Sequence, residues 1–238
     1  MDELRGRVVL ITGATGALGD AVVREFADQQ ARLALTARSE ADLGNLVAAL
    51  GLPSEQVGVW AADVTRADDV AQLVSAVLAR FGRLDCLLNL AGGWRGGQTV
   101  AETEVEAWDE ALALNLRGAF LLSRAVLPAM IAQGWGRIVH ISSRTALEPR
   151  AKQAAYAVAK MGLITLTDVI AAEVKGSGVT ANVIIPAIID TPANRAALPK
   201  GDPTKWVPPG HIAAALRFLC SEAAASVNGA HIAMYGAL

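Results

Sequence analysis

Short apolar segments rich in β-branched residues alternate with longer segments in which apolar residues recur at helical spacing. Because apolar strands that alternate with helices pack as a parallel sheet covered on both faces, the pattern predicts a doubly wound α/β fold with a seven-stranded, mostly parallel sheet. In such a fold the ligand site lies at the carboxyl ends of the strands, where the strand order reverses. Strands are predicted at residues 7–11, 33–36, 56–61, 85–90, 137–143, 179–185 and 230–235, and helices at residues 17–30, 40–50, 66–81, 104–130, 153–175 and 211–221.

One proline-rich segment interrupts this alternation. Residues 187–209 contain five prolines and have no sustained period. A segment of this kind inside a compact domain is typically a functional lid or is disordered, and we expect a substrate lid at about residues 187–210. Since no linker is evident, residues 1–238 are predicted to form a single domain.

Composition excludes several classes of protein. Apolar residues make up 53% of the chain and charged residues 18%, which excludes intrinsic disorder, and the net charge of −2 argues against a nucleic-acid partner. No run of apolar residues is long enough to span a membrane or serve as a signal peptide, so we expect no membrane partner and a cytoplasmic location. Two cysteines and three histidines are scattered without metal-ligand spacing, and we expect no metal site.

The turn between the first strand and the first helix is rich in glycine. Gly13, Gly16 and Gly19 allow a tight turn, a close approach of the backbone to a pyrophosphate, and close packing of the helix on the sheet. The helix N-terminus then presents free N–H groups to the phosphates. This position in a βαβ unit indicates a dinucleotide site, although a merely structural turn is the alternative.

The end of the second strand bears on the choice of cofactor. An NAD site commonly places an acidic residue there, to bind the ribose 2′-hydroxyl, but this strand ends in Ala37-Arg38-Ser39. The Arg38 guanidinium is suited to a 2′-phosphate. We therefore expect NADP(H) to be preferred, with NAD(H) possible. The alternative is that Arg38 is a solvated loop charge.

A second group of residues suggests acid–base chemistry. Tyr156 and Lys160 are four positions apart on a helix and share one face. A nearby ammonium lowers the pKa of a tyrosine, which then exchanges protons nearer neutral pH. This pair alone is common by chance, but Ser143 ends the fifth strand and is suited to hold a substrate oxygen. Asn115 lies in the middle of a helix, where an amide needs a partner, and is suited to hold a water near Lys160.

These motifs, taken in order, resemble the short-chain dehydrogenase/reductase superfamily of single-domain Rossmann-fold enzymes. The similarity extends from Arg7 to Gly236. Three positions depart from the usual family pattern: Ala17 in the glycine turn, Leu90 after the fourth strand, and Ala187 after the sixth. The matching motifs are the Thr12–Gly19 turn, Asp63-Val64, Asn89-Leu90-Ala91-Gly92, Asn115, Ser143, Tyr156-x-x-x-Lys160 and the segment from Pro186 to Thr191.

The resemblance implies a role for each catalytic residue. Tyr156 is implied to be the general acid in carbonyl reduction and the base in alcohol oxidation. Lys160 is implied to bind the nicotinamide ribose and to lower the pKa of Tyr156. Ser143 is implied to orient the substrate, and Asn115 to maintain a proton relay. The family match thus predicts four catalytic residues.

The resemblance also implies a set of residues around the cofactor. Asp63 is implied to contact the adenine with Val64 beside it, and Asn89 to brace the central strands. Ile189 and Thr191 are implied to meet the nicotinamide carboxamide. The predicted cofactor-binding residues are Gly13, Thr15, Gly16, Ala17, Leu18, Gly19, Arg38, Ser39, Asp63, Val64, Asn89, Ala91, Gly92, Tyr156, Lys160, Pro186, Ile189 and Thr191.

Four further residues are candidates for substrate contact. Trp94 lies in a glycine-rich loop and is suited either to stack on a flat substrate or to pack under the lid. Arg144 directly follows Ser143 and either meets an anionic substrate, pairs with Glu148 or points to solvent. Ile188 and Trp206 lie in the proposed lid.

The leading prediction is an NAD(P)(H)-dependent oxidoreductase that acts on a small carbonyl or secondary alcohol substrate. Alternatives are a reductase of C=N or C=C bonds, either dihydropteridine-like or acting on enones, and a dinucleotide-binding sensor without turnover. The high apolar content suggests self-association, and by analogy with relatives a homotetramer is favoured over a homodimer.

Overall fold

The computed structural model of the protein describes residues 4–237. Within them, seven strands form one sheet in the order β3-β2-β1-β4-β5-β6-β7, and every neighbouring pair is parallel. The predicted doubly wound α/β fold is therefore confirmed. The strands are β1 (Val8–Thr12), β2 (Arg32–Ala37), β3 (Val57–Ala61), β4 (Cys86–Asn89), β5 (Gly136–Ile141), β6 (Val179–Pro186) and β7 (His231–Met234).

Helices cover both faces of the sheet and enclose two large apolar clusters. One cluster joins the sheet to α1, α2 and α9, and the other joins it to α3, α5 and α7. Strands β1, β4 and β5 are fully buried, as expected for strands covered on both faces. The helices are α1 (Ala17–Asp28), α2 (Glu40–Leu50), α3 (Ala67–Phe81), α4 (Val105–Leu112), α5 (Gly118–Ala132), α6 (Arg144–Leu147), α7 (Ala154–Glu173), α8 (Pro192–Ala197) and α9 (Pro209–Leu219).

The strand order places a crevice beside the glycine turn. Strand β1 pairs with β2 on one side and with β4 on the other, so the chain winds outward in both directions from β1. Thr12 at the end of β1 stands opposite Thr36 of β2 and Asn89 of β4. The carboxyl ends of these strands lie at the switch point, which is where open α/β sheets bind ligands.

The helix predicted at residues 104–130 differs from the prediction in its middle. Helices α4 and α5 are continuous through a π-helical turn, Ala113–Arg117, which contains Asn115. The Asn115 carboxamide donates to the carbonyl of Ala111, four residues earlier, at 3.1 Å. A side chain that bonds its own helix backbone competes with the regular ladder, and π turns of this kind are frequent at functional sites.

The proline-rich segment is more ordered than its sequence suggests. It contains helix α8, a 3₁₀ turn at Pro203–Lys205, and a parallel bridge between Ile189 and Val207. Pro192 and Pro203 each stand at the first turn of a helical segment, where a missing N–H is tolerated. The segment lacked a visible period because its elements are too short to show one.

Two helical stretches, Val105–Ala132 and Ala154–Glu173, are long and apolar enough to cross a membrane by length and composition. About half of the most apolar part of each is buried inside the molecule. They pack against the sheet and against each other, as core helices do.

Candidate active site

A cavity of about 490 Å³ opens at the carboxyl ends of the strands, within the size range of small-molecule and cofactor sites. It brings together most residues that the sequence predicted. These are Gly13, Thr15, Gly16, Ala17, Leu18, Gly19, Arg38, Asp63, Val64, Ala91, Gly92, Trp94, Ser143, Tyr156, Lys160, Pro186, Ile189 and Thr191.

Six predicted site residues do not line this cavity. Ser39 caps helix α2, and its hydroxyl accepts the N–H of Asp42 at 3.2 Å. Ile188 lies at the bridge between the two ends of the proline-rich segment, where its carbonyl accepts the N–H of Val207. Trp206 is 3% exposed because its ring packs against Gly201. Asn89, Asn115 and Arg144, described below, complete this group.

Several lining residues were missed by the sequence analysis. Most directly follow or precede a predicted strand end or motif, which is the signal that would have found them. Others belong to the proline-rich segment or, in the case of Leu114, to the π turn between α4 and α5, and the sequence does not show which way these residues face. The missed residues are Thr36, Ala37, Ala62, Leu90, Gly93, Leu114, Ile141, Ser142, Ala187, Ala193 and Asn194.

The glycine turn is shaped by close backbone contacts. Gly13 has φ +66°, and a Cβ there would lie 3.1 Å from the amide nitrogen of Ala91. A Cβ on Gly19 would overlap the carbonyl oxygen of Gly13. Helix α1 starts at the N-cap residue Gly16, which has no side chain to bond the first N–H groups. This uncapped N-terminus faces the cavity and fits an anionic pyrophosphate.

Arg38 and Asp63 line the end of the cavity beyond β2 and β3. The Asp63 carboxylate accepts the backbone N–H and the hydroxyl of Thr65, at 2.9 and 2.7 Å. These bonds lower the pKa of Asp63, and the positive charge of Arg38 contributes in the same direction. An exposed guanidinium therefore stands beside an ionised carboxylate at this end of the cavity.

Ser143, Tyr156 and Lys160 converge at the other end of the cavity. The Ser143 side chain hydrogen-bonds the Tyr156 phenol, which favours the phenolate, but burial has the larger effect and raises the pKa of Tyr156. Burial also lowers the pKa of Lys160, to about 8.

The expectation that Lys160 lowers the pKa of Tyr156 is not met in this geometry. The Lys160 ammonium donates to the carbonyl of Ile141 at 2.8 Å and lies 5.7 Å from the centre of the Tyr156 ring. The cation is therefore directed at a backbone carbonyl of β5 rather than at the phenol.

Asn115 holds the loop that follows β4. Its carboxamide oxygen accepts the N–H of Gly93 at 3.0 Å, and its amide nitrogen donates to the Gly93 carbonyl at 3.1 Å. A Cβ on Gly92 would stand 3.0 Å from the Asn115 oxygen and 3.2 Å from the Lys160 ammonium nitrogen. Gly92 therefore leaves room for both polar groups just behind the cavity wall, and Lys160 also lines the cavity, which is compatible with the predicted relay.

A buried hydrogen-bonded chain crosses the centre of the sheet behind this loop. The N–H of Ala91 donates to Thr12 Oγ1, which donates in turn to the Asn89 carboxamide oxygen at 2.9 Å. The Asn89 amide then donates to His140 Nδ1, so Nε2 carries the imidazole proton and donates to Ser123 Oγ. Asn89 thus braces β1, β4 and β5, and its side chain supports Ala91 at the cavity wall.

Arg144 is held away from the cavity. Its guanidinium forms an ion pair with Glu148 at 2.9 Å and lies 5.0 Å from the centre of the Tyr235 ring. Of the alternatives open for this residue, the pairing with Glu148 is the one present in the structure.

Comparison with known proteins places these features in a family. The family model described as short chain dehydrogenase matches residues 7–201, which include the glycine turn, Ser143, Tyr156 and Lys160. The chain belongs to the short-chain dehydrogenase family. This dehydrogenase is 36% identical over 243 residues to D-threitol dehydrogenase of Mycolicibacterium smegmatis, an alignment that covers 98% of this chain and 93% of the relative.

Two further comparisons extend over almost the whole dehydrogenase. It is 34% identical to 3-oxoacyl-acyl-carrier-protein reductase FabG of Thermotoga maritima, with 99% of both chains covered. The crystal structure of levodione reductase superposes with a TM-score of 0.89 at 31% identity and covers 98% of this chain and 97% of that one. Short-chain dehydrogenases use NAD(P)(H), and the glycine turn and the cavity described above fit such a dinucleotide.

Proposed function

We propose that this dehydrogenase transfers a hydride between NADP(H) and a carbonyl or secondary alcohol substrate, with Tyr156 as the general acid or base. The observation that carries the proposal is that one cavity joins the glycine turn at one end to Ser143, Tyr156 and Lys160 at the other. The nicotinamide supplies or accepts the hydride, and the protein supplies the proton.

The side chains have complementary roles in this proposal. The Tyr156 phenol, whose pKa is raised by burial, remains protonated near neutral pH and serves as a donor to a carbonyl oxygen. Ser143 bonds that phenol and stands where it orients the same oxygen. Lys160, with a pKa of about 8, holds an exchangeable proton close to neutral pH, and it lines the cavity beside Gly92, which has no side chain to cover it.

The preference for NADP(H) rests on Arg38. This residue lines the cavity at the end of β2, where no acidic side chain follows the strand. A guanidinium there binds a 2′-phosphate in a bidentate manner. Arg38→Ala is expected to lower the specificity constant for NADPH by about tenfold or more, equivalent to roughly 1.4 kcal/mol, while leaving that for NADH within about twofold.

We also propose that the enzyme is a cytoplasmic homotetramer, with a homodimer as the smaller alternative. Large apolar side chains remain exposed on α5 (Phe120 and Ile131) and on α7 (Val158 and Val169), and Phe218 is exposed on α9. Two separate helical surfaces therefore offer apolar contact area to further copies. Light scattering after size exclusion would give the mass directly, and a monomer at micromolar concentration would refute this proposal.

The experiment for the activity is the oxidation of NADPH and NADH over a panel of ketones, β-ketoesters, diketones and quinones. Tyr156→Phe removes only the phenolic hydroxyl, and we expect it to abolish turnover while cofactor binding persists. Full activity in Tyr156→Phe would refute the proposed mechanism. Tight binding of cofactor without any turnover would favour a sensor. The relatives named above act on different substrates, so the panel must be broad.

A further inference from the structure

The loop that follows β4 is fixed at both of its ends. Asn115 makes two hydrogen bonds to the backbone of Gly93, and the N–H of Gly97 donates to the carbonyl of Lys152 at 2.8 Å. Lys152 directly precedes Gln153, the N-cap residue of helix α7, so the loop is attached next to the start of the helix that carries Tyr156. Trp94, one of the three residues between these attachments, therefore has a defined position despite its glycine-rich surroundings.

Trp94 forms a wall of the cavity beside the catalytic phenol. Its indole meets the Tyr156 ring edge to face, with ring centres 5.1 Å apart and planes inclined at 66°, and 51% of its surface is exposed. A Cβ on Gly96 would stand 2.7 Å from the indole, so the glycine allows the ring to fold back across its own loop. A large aromatic surface is thus available to any group attached to a carbonyl that reaches Tyr156.

The cations at the same end of the cavity already have acceptors, and Arg95, next to Trp94, does not line the cavity and donates to the carbonyl of Trp94 at 3.0 Å. Among the lining residues that the structure describes, the charged side chains are Arg38, Asp63 and Lys160. The first two lie at the adenosine end, and the Lys160 ammonium is buried against the carbonyl of Ile141. Arg144, the cation nearest to Ser143 in sequence, is paired with Glu148 outside the cavity.

The residues of the proposed lid that line the cavity are either apolar or hydrogen-bonded to one another. Ala187, Ile189 and Ala193 contribute apolar surface. The polar side chains of the lid are already engaged, because Thr191 Oγ1 accepts the N–H of Asn194 and the Asn194 amide donates to the carbonyl of Ile189. A carboxylate entering here would lose its hydration without gaining a cation that lacks an acceptor, which is strongly unfavourable.

From this arrangement we propose that Trp94 is a specificity-determining residue, and that the site takes neutral ketones and secondary alcohols that carry an aromatic or cyclic apolar group next to the reacting carbon. The inference rests on the proposed hydride transfer. The ring of the substrate packs on the exposed part of the indole while its carbonyl oxygen meets Ser143 and Tyr156.

The first test compares an aryl ketone with an open-chain ketone of similar size. Acetophenone and 2-octanone are reduced with NADPH by the full chain and by Trp94→Ala, Trp94→Phe and Val100→Ala. Since an aromatic contact of this kind is worth roughly three- to tenfold in binding, Trp94→Ala should lower kcat/KM for acetophenone by about that factor and leave 2-octanone within about twofold. Trp94→Phe should restore most of the loss. Val100, which is 77% exposed beyond the loop, is the control and should change neither.

The second test varies the charge of the substrate, with one added methyl group as the only other difference. Acetoacetate and methyl acetoacetate present the same ketone with and without a carboxylate. The ester should be reduced at least about tenfold more efficiently, because burying an unpaired carboxylate costs more free energy than burying a neutral ester. Equal losses of both ketones in Trp94→Ala, or a preference for acetoacetate, would overturn the inference while Tyr156-dependent turnover left the proposed function intact. Absence of any Tyr156-dependent ketone reduction would overturn both.

Discussion

His140 lies at the centre of the sheet with none of its surface exposed, and its titration is expected to govern stability in mild acid. Burial lowers the pKa of its imidazole from 6.5 to about 3, and the positive charge of Lys160 acts in the same direction. Its hydrogen-bond partners, Asn89 and Ser123, are neutral. The folded protein thus keeps His140 uncharged at pH values where an unfolded chain takes up a proton.

The sign and size of the effect follow from this difference in pKa. Stability contributed by a group with a depressed pKa is present above 6.5 and is lost as pH falls toward the folded value of about 3. Each pH unit in that window corresponds to ~1.4 kcal/mol, so His140 should remove about 2 kcal/mol of unfolding free energy between pH 7 and pH 5. Lys160, with a pKa of about 8, is charged in both states over this range and adds no pH dependence.

The assay is urea unfolding at pH 7 and pH 5, at one protein concentration, for the natural chain and for His140→Asn. The variant loses the titrating ring but keeps an amide between Asn89 and Ser123. The carboxylates contribute equally to the pH dependence of the unfolding free energy in both proteins. We expect the natural chain to lose about 2 kcal/mol more than His140→Asn between the two pH values. His211→Asn, which removes an exposed histidine, is the control for loss of a histidine as such. An identical loss in both chains would refute the buried, neutral assignment of His140.

Three further predictions concern the site. Gly92→Ala places a methyl group 3.2 Å from Lys160 Nζ and should lower kcat by about tenfold or more, measured by NADPH oxidation, whereas retained kcat would contradict the crowded geometry. Gly19→Ala drives a methyl group into the carbonyl of Gly13 and should weaken NADPH binding by at least about tenfold in a fluorescence titration; unchanged affinity would show that the turn adapts freely. Arg144→Ala should leave kcat/KM for neutral ketones within about twofold, since its guanidinium is paired away from the cavity, and a larger loss would indicate direct substrate contact.

The fold was predictable because its local patterns and its topology agree. Strands such as β1 and β4 are almost entirely apolar runs separated by helical repeats, and a parallel, doubly covered sheet is the arrangement that buries them. The π turn around Asn115 was not predictable, since it depends on bonds from that side chain to Ala111 and to the distant Gly93. Hydrogen bonds between separate elements of the chain do not produce a periodic pattern in the sequence.

The position of a site residue was predictable where it directly follows a strand. The orientation of a side chain was less predictable where several hydrogen-bond or packing partners are within its reach. Tyr156 and Ser143 lie together because strand β5 and helix α7 meet at the cavity. In contrast, the sequence could not show that the Lys160 ammonium turns to the carbonyl of Ile141, or that Trp206 is buried in the lid rather than lining the cavity. These orientations are set by packing between distant segments.

The most direct test of the proposed hydride transfer follows the hydride itself. NADPH carrying deuterium at the transferable position of the nicotinamide is supplied with a ketone that the enzyme reduces, and the alcohol is analysed by mass spectrometry and NMR. The proposal predicts one deuterium on the former carbonyl carbon, with both product and label lost in Tyr156→Phe. Deuterium on the carbon of a reduced C=C or C=N bond, or an alcohol formed without label, would contradict it.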